Sequence, residues 1–227
     1  MNWEHLKNNL QKFYTSKGLS DCFEEEEKYL RNSFYEMEEL WNTQFDRIEK
    51  VNYVMFSESP LWGNQKKYLY NAETRLSQFF YKSDLEVVLG KKIKHKDEFL
   101  NILTDIGFII LDVSPFVLNE KDTSINYRRI SPKDYKSLVD ETLKFYVTPK
   151  LSRIKDKLGE TPVFFFRYTR VQNLFSDLLS KELERLDLIS SESEILEISQ
   201  NGGGIHRGKF KKIINNSSIN TNKEDTH

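Results

Sequence analysis

The sequence contains only one cysteine, Cys22, among its 227 residues, which excludes an intrachain disulfide framework. No spacing of cysteine and histidine resembles a zinc site, so we expect no metal and no other cofactor. The 34 lysines and arginines nearly balance the 35 aspartates and glutamates, and the formal net charge is −1. This balance excludes the strongly basic surface of a nucleic-acid coat protein. Any binding of nucleic acid must therefore depend on local groups of cations.

Long apolar runs are also missing. None approaches the roughly 20 residues of a membrane-spanning helix, and the first residues, MNWEHLKNNLQKF, lack the apolar core of a signal peptide. We therefore expect a cytoplasmic, monomeric protein with no membrane partner. Aromatic residues, in contrast, are abundant at 13% of the chain, which makes surfaces that stack flat ligands worth seeking.

Residues 1–50 are predicted to be a helical segment packed on the core. Large apolar residues recur there at steps of three, four or seven, which is typical of one helix face: Phe23, Leu30, Phe34, Met37, Trp41, Phe45 and Ile48. At the other end, residues 215–227 are polar and without periodicity, and we predict a disordered tail.

Between these segments, residues 51–214 alternate short apolar runs with amphipathic stretches. The runs at 53–57, 108–113, 163–168 and 195–199 are candidate strands, and their continuous apolar character is typical of a sheet covered on both faces. Ser131-Pro132 predicts a helix start, and Gly107 and Gly159 predict helix ends. The prediction is an α/β fold, a three-layer α/β/α domain with a mostly parallel four-stranded sheet, preceded by N-terminal helices.

Ligands of such sheets bind outside the carboxyl ends of the strands, and polar residues follow all four predicted strands. Glu58 lies in SESPLWG after the first strand, Asp112 closes the second, and the third ends in Arg167 and Tyr168. After the fourth comes QNGGGIHRGK, where consecutive glycines allow the main chain to approach a ligand closely. Contacts with a polynucleotide backbone are predicted for this last segment, at Gly203, Gly204, His206, Arg207 and Lys209. The alternative is a flexible loop beside a solvated basic helix.

These strand-end segments resemble the motifs of the uracil-DNA glycosylase superfamily. SESPLWG, residues 57–63, is similar to the Gly-Glu-Ala-Pro-Gly form of its first motif, and Glu58 matches the glutamate. Residues 200–210 resemble only the second half of the last motif, because the His-Pro-Ser histidine of classical members is absent. The resemblance extends over about residues 50–214 in the order of elements.

The resemblance implies a DNA glycosylase, an enzyme that flips a base out of DNA and hydrolyses its N-glycosidic bond. It implies that Glu58 activates the attacking water or stabilises the sugar cation, and that Tyr70 stacks on the extruded base. Asp112 stands where many members carry an asparagine that contacts the base edge. Leu61, with Trp62 beside it, replaces the tyrosine that crowds the 5-position of uracil. No metal or other cofactor is implied, and DNA is the implied partner.

Asp112 argues against plain uracil as the substrate base. An ionised carboxylate only accepts hydrogen bonds, so it suits the exocyclic amino group of cytosine better than a uracil carbonyl. A modified cytosine of phage DNA is a concrete candidate, which would make the protein a defensive glycosylase. Other uses of the same residues remain open: Glu58 as a helix cap or ion-pair partner, Asp112 as a turn former, and Tyr70 and Trp62 as core. A catalytically silent binder of nucleic acid or nucleotides on the same scaffold is the alternative function.

Overall fold

The computed structural model describes residues 1–119, 121–190, 195–200 and 204–221. Within these ranges an N-terminal pair of α-helices is followed by four strands and five further α-helices. The strands are β1 (Val51–Ser57), β2 (Phe108–Asp112), β3 (Leu158–Phe166) and β4 (Leu196–Glu197). The helices are α1 (Trp3–Ser16), α2 (Ser20–Arg47), α3 (Lys82–Leu89), α4 (Lys96–Asp105), α5 (Pro132–Lys155), α6 (Thr169–Arg185) and α7 (Arg207–Thr221).

All pairs of neighbouring strands are parallel, in the order β2-β1-β3-β4. Phe56 of β1 lies opposite Leu111 of β2 and Phe166 of β3, so the carboxyl ends of these three strands are level. The predicted α/β fold with a parallel sheet and N-terminal helices is confirmed, and its helices are consistent with a three-layer α/β/α arrangement. The apolar runs predicted it because both faces of β1, of β2 and of the carboxyl-terminal part of β3 are largely buried.

Helices cover the sheet through aromatic side chains. Phe210 of α7 packs on Phe108 and Phe165, with ring centroids 6.0 and 5.8 Å apart, and the Tyr53 hydroxyl donates to the carbonyl of Ile214 at 2.8 Å. Helix α5 contacts β2 and α6 contacts β3, while α5 and α6 also contact each other. The core is thus continuous from the sheet into its helical layers.

Helix α1 packs on α5, and α2 contacts α4 and bonds to strand β2, which forms one edge of the sheet. Trp41 of α2 donates its indole N–H to the carbonyl of Ile110 at 2.9 Å. The N–H of Ile110 donates in turn to the hydroxyl of Tyr70 at 2.6 Å. Two side chains therefore satisfy the outward backbone groups of this edge residue. Across the described residues, no helix has both the length and the apolar character needed to cross a membrane.

Three helix boundaries test the local predictions. Ser131 caps α5 as predicted, since its hydroxyl accepts the N–H of Asp134 at 3.1 Å. Gly107 follows α4 with φ +70°, and a Cβ there would lie 2.1 Å from the carbonyl oxygen of Lys50. The prediction for Gly159 is wrong: α5 ends at Lys155, and Gly159 lies in β3, where the side chain of Asn52 leaves no room for a Cβ.

A helix extends into residues 215–227, the segment predicted to be a disordered tail. Helix α7 continues past residue 214 to Thr221, because extending an existing helix adds a hydrogen bond for each residue fixed. Residues 222–227 of the predicted tail lie outside the described residues.

Candidate functional site

A cavity of about 700 Å³ opens at the carboxyl ends of the strands. Ser57, Asp112 and Arg167, which close or follow β1, β2 and β3, line it. Its walls come from the loop after β1 and from the loop after β2. This is the edge of a parallel sheet where ligands are expected.

The cavity brings together the predicted catalytic residue and all the predicted base-binding residues. Glu58, Leu61, Trp62, Tyr70 and Asp112 all line it. Leu61 is 53% exposed and lies at the mouth, whereas Trp62, Tyr70 and Asp112 are buried. Five positions spread over 55 residues of sequence thus face one volume, which is the arrangement that binding of one ligand requires.

Asp112 is the buried acid of the cavity. Burial raises the pKa of its carboxyl to about 6, and the negative charge of Glu38 acts in the same direction. The positive charge of Lys150 and a hydrogen bond with the Ser57 side chain oppose this shift. Asp112 is therefore ionised at neutral pH and becomes protonated in mild acid.

A buried ion pair acts electrostatically on Asp112, and the sequence analysis did not predict this pair. Lys150 of α5 lies 2.5 Å from Glu38 of α2, and its ammonium also donates to the Tyr146 hydroxyl at 3.1 Å. The rings of Trp41 and Tyr146 lie 4.4 and 4.2 Å from the ammonium. The ammonium that lowers the pKa of Asp112 is thus held by groups that are themselves out of water.

Glu58 is positioned by an arginine from the first turn of α6. The Arg170 Nε donates to Glu58 Oε1 at 2.9 Å, and the Arg170 Nη2 donates to the carbonyl of Tyr127 at 3.1 Å. The backbone carbonyl of Glu58 accepts the N–H of Ser114 at 3.1 Å, which continues the β1–β2 ladder by one residue. The Glu58 side chain retains 23% exposure, so water can reach it.

An aromatic wall faces the two acids. Tyr68 packs edge-to-face on Tyr70, with centroids 5.6 Å apart, and on Trp62, at 6.4 Å. Lys96 holds the loop that carries these rings: its ammonium donates to the Asn71 carbonyl at 2.6 Å and to the Thr74 hydroxyl at 2.5 Å. Burial lowers the pKa of Lys96 to about 8. The rings are therefore fixed before any ligand arrives.

Arg167 is a site residue to which the sequence analysis gave no role. The residue is 2% exposed, and its guanidinium lies over the rings of Tyr168 and Phe80, at 4.5 and 5.0 Å. It donates to the carbonyls of Gly204 at 3.1 Å and Phe79 at 3.4 Å. The residue joins the loop after β4 to the cavity wall. Its place directly after an apolar run is the signal that could have identified it.

The predicted backbone-binding segment lies elsewhere. Gly203 is outside the described residues, and Gly204, His206, Arg207 and Lys209 do not line the cavity. The His206 Nδ1 accepts the N–H of Lys209 at 3.2 Å and so caps the start of α7. Arg207 pairs with Asp84 at 2.6 Å, and Lys209 pairs with Glu197. These cations already have intramolecular partners.

In the described parts of the chain, no group of three or more His, Cys, Asp or Glu side chains is placed to hold a metal ion. The charged side chains that line the cavity are three carboxylates, two guanidinium groups and two ammonium groups, beside several aromatic rings. Comparison with protein families, with curated proteins and with solved structures finds no match to this chain.

Proposed function

We propose that the chain is a DNA glycosylase, which extrudes a base from DNA and hydrolyses its bond to the sugar, leaving an abasic site. The observation that carries this proposal is that Glu58, Asp112 and Tyr70 line one cavity at the carboxyl edge of the sheet. They supply what the reaction needs: an acid for the chemical step, a polar group for the base edge and a ring for the base face. The cavity volume of about 700 Å³ also suits a nucleotide-sized ligand.

Glu58 is assigned to the chemical step. Water attacks C1′ of the sugar, the bond between C1′ and the base nitrogen breaks, and its electron pair leaves with the base. The Glu58 carboxylate orients the water and takes up its proton. Its partial exposure supports this role, because a water molecule can reach the carboxylate.

Asp112 is assigned to recognition of the base. At a pH above its pKa of about 6 the carboxylate is ionised and can only accept hydrogen bonds. The exocyclic amino group of a cytosine donates to such a group. The carbonyl at the same position of uracil has no hydrogen to donate to a carboxylate. The proposed substrate is therefore a cytosine-type base, with modified cytosine of phage DNA as the candidate and antiviral defence as the role.

Tyr70 is assigned to stacking on the extruded base. Its hydroxyl accepts the Ile110 N–H and its ring packs on Tyr68, so the ring loses little freedom when a ligand binds. Stacking of a base on an aromatic ring contributes roughly 1–3 kcal/mol, which offsets part of the cost of removing the base from the duplex.

A catalytically silent binder of nucleic acid or nucleotides is the second candidate. The ion pair between Glu58 and Arg170 favours it, because a carboxylate that holds an arginine has less of its surface to offer to water. The loop after β4 also lacks the histidine of the classical glycosylase motif.

An abasic-site assay distinguishes the two candidates. Duplexes carrying uracil, cytosine, 5-hydroxymethylcytosine or its glucosylated form are incubated with the protein and heated in alkali, and strand breaks are counted. We expect breaks at a modified cytosine with the native chain and none with Glu58→Gln or Asp112→Asn. Glu49→Gln is the matched control. Glu49 is exposed and precedes β1, so it lies at the amino ends of the strands, opposite the carboxyl ends where the cavity opens. Absence of breaks with every base, or full cleavage by both cavity variants, contradicts the glycosylase proposal.

A further inference from the structure

Three cations from two different loops lie on the rim of the cavity. Lys67 comes from the loop after β1, and Lys121 and Arg128 come from the loop after β2. Lys121 and Arg128 are exposed, and Lys67 is half-buried. Among the described residues, none of these three side chains forms an ion pair with a carboxylate. We call Lys67, Lys121 and Arg128 the rim cations.

The backbone that carries the rim cations is held in place. The N–H of Lys67 donates to the Trp62 carbonyl at 3.0 Å. The N–H groups of Lys121 and Arg128 donate to the side-chain oxygens of Asn119 and Asn126, both at 3.1 Å. Side-chain caps of this kind fix a turn without secondary structure. The cations therefore project from rigid positions around the mouth.

The loop after β2 is also anchored at a distance from the cavity. Glu26 of α2 accepts the N–H and the hydroxyl of Ser124 at 2.7 and 2.6 Å. Asp122, the acid on the rim, is half-buried, and its charge adds to burial in raising the pKa of the Tyr29 hydroxyl. Within the described parts of the chain Asp122 forms no ion pair with any of the three cations.

Two cations at the start of α7, Arg207 and Lys209, differ from the rim cations in this respect. Arg207 is bound to Asp84, and Lys209 to Glu197. Asp84 is buried, so moving Arg207 to a phosphate would leave a buried carboxylate without its counter-charge. A phosphate is therefore attracted less to these side chains than to unpaired cations.

We infer that the rim cations, rather than the start of α7, bind the phosphates of the DNA strand next to the extruded nucleotide. This inference rests on the proposed function. A base can enter the cavity only if the phosphates on either side of its sugar lie across the mouth, and the rim cations are at the mouth. Phosphate contacts position the strand and carry no sequence preference, which leaves the choice of base to the cavity.

The salt dependence of DNA binding tests the inference. Binding of the full chain to a labelled duplex of unmodified sequence is measured by fluorescence anisotropy between about 50 and about 200 mM salt. Each of Lys67→Gln, Lys121→Gln and Arg128→Gln should reduce the slope of log Kd against log salt by about 0.9 for a duplex, and the triple variant by about 2.7. The matched control is Lys211→Gln with Lys212→Gln, two exposed cations of α7 that do not line the cavity.

The outcomes separate this inference from the proposed function. A slope that is unchanged in the triple variant, or reduced equally in the α7 control, overturns the inference even if strand breaks are still found. Loss of slope in the rim variants without any strand break supports the rim and contradicts the glycosylase. No measurable binding to the duplex at the lowest salt overturns the inference. Thermal melting of each variant shows whether the fold is retained.

Discussion

The ammonium of Lys150 and the carboxylate of Glu38 are 2.5 Å apart and almost wholly out of water, at 1% and 9% side-chain exposure. One carboxylate oxygen, Glu38 Oε1, carries the contact. The other, Oε2, has no hydrogen-bond partner among the described residues. The pair joins α2, from the N-terminal segment, to α5, from the sheet domain. It also supplies the cation that moderates the pKa of Asp112.

Removal of one partner of this pair should destabilise the protein strongly. Lys150→Met leaves Glu38 buried without its counter-charge, and we expect a loss of about 3–5 kcal/mol in the free energy of unfolding. The double variant Glu38→Met with Lys150→Met should recover most of this loss, because two apolar side chains need no partner. Urea unfolding measures both. Lys50→Met is the control, since the Lys50–Glu160 pair is exposed and its loss should be nearly neutral.

Asp112 should make the stability of the fold depend on pH. Its pKa rises from 3.8 in the unfolded chain to about 6 in the folded protein, so the folded state binds more protons between these values. The contribution of Asp112 to the free energy of unfolding therefore falls as pH rises from about 4 to about 6, by roughly 3 kcal/mol, and is constant above this window. Urea unfolding of Asp112→Asn should lack this fall. Parallel curves for the variant and the native chain across the window would contradict the raised pKa.

Tyr70→Phe should weaken the edge of the sheet. The change removes the acceptor of the buried Ile110 N–H, and an unsatisfied buried donor costs about 1–3 kcal/mol. Urea unfolding measures the loss in the free energy of unfolding. Faster hydrogen exchange of the Ile110 amide shows that the loss arises at this hydrogen bond. Tyr35→Phe, at a side chain that is 50% exposed, is the matched control and should change neither quantity.

Gly107→Ala should be much more harmful than Gly90→Ala. Both glycines have positive φ, +70° and +64°, so an alanine costs about 1–2 kcal/mol of backbone strain at either position. At Gly90 a Cβ meets nothing within 4 Å, whereas at Gly107 it would lie 2.1 Å from the Lys50 carbonyl oxygen. We expect a small drop in Tm for Gly90→Ala and loss of the soluble folded protein for Gly107→Ala. Equal melting temperatures for the two variants would contradict this expectation. They would show that the backbone at Lys50, directly before β1, can move away from the added Cβ.

The fold and the main site residues were predictable because they are encoded locally. Three strand ends carry a polar residue directly after an apolar run, and parallel strands bring such ends to one edge. Glu58 and Asp112 were found in this way and share one cavity. The prediction for Gly159 was wrong because a glycine after a helical stretch commonly marks a helix end. Here the position needs a glycine because the side chain of Asn52 leaves no room for a Cβ.

The electrostatic environment of the site was not predictable in the same way. Lys150 and Glu38 fall on the buried stripes of α5 and α2, so periodicity could have marked them, but it could not have paired them. Arg207 and Asp84 are separated by 123 positions, and only the folded chain brings them together. A single sequence shows which cations are near a strand end, and it does not show which of them are already neutralised.

The side chains of Trp41 and Tyr70, which satisfy the outward carbonyl and amide of Ile110, also have a consequence for self-association. An edge strand with free backbone groups can add a strand from another molecule and begin aggregation. At the middle of β2, the carbonyl and the amide that could pair with an added strand are already hydrogen-bonded. Their partners are Trp41 of α2 and Tyr70 of the loop after β1. The N-terminal helices thereby protect the sheet against edge-to-edge pairing, in addition to packing on its core.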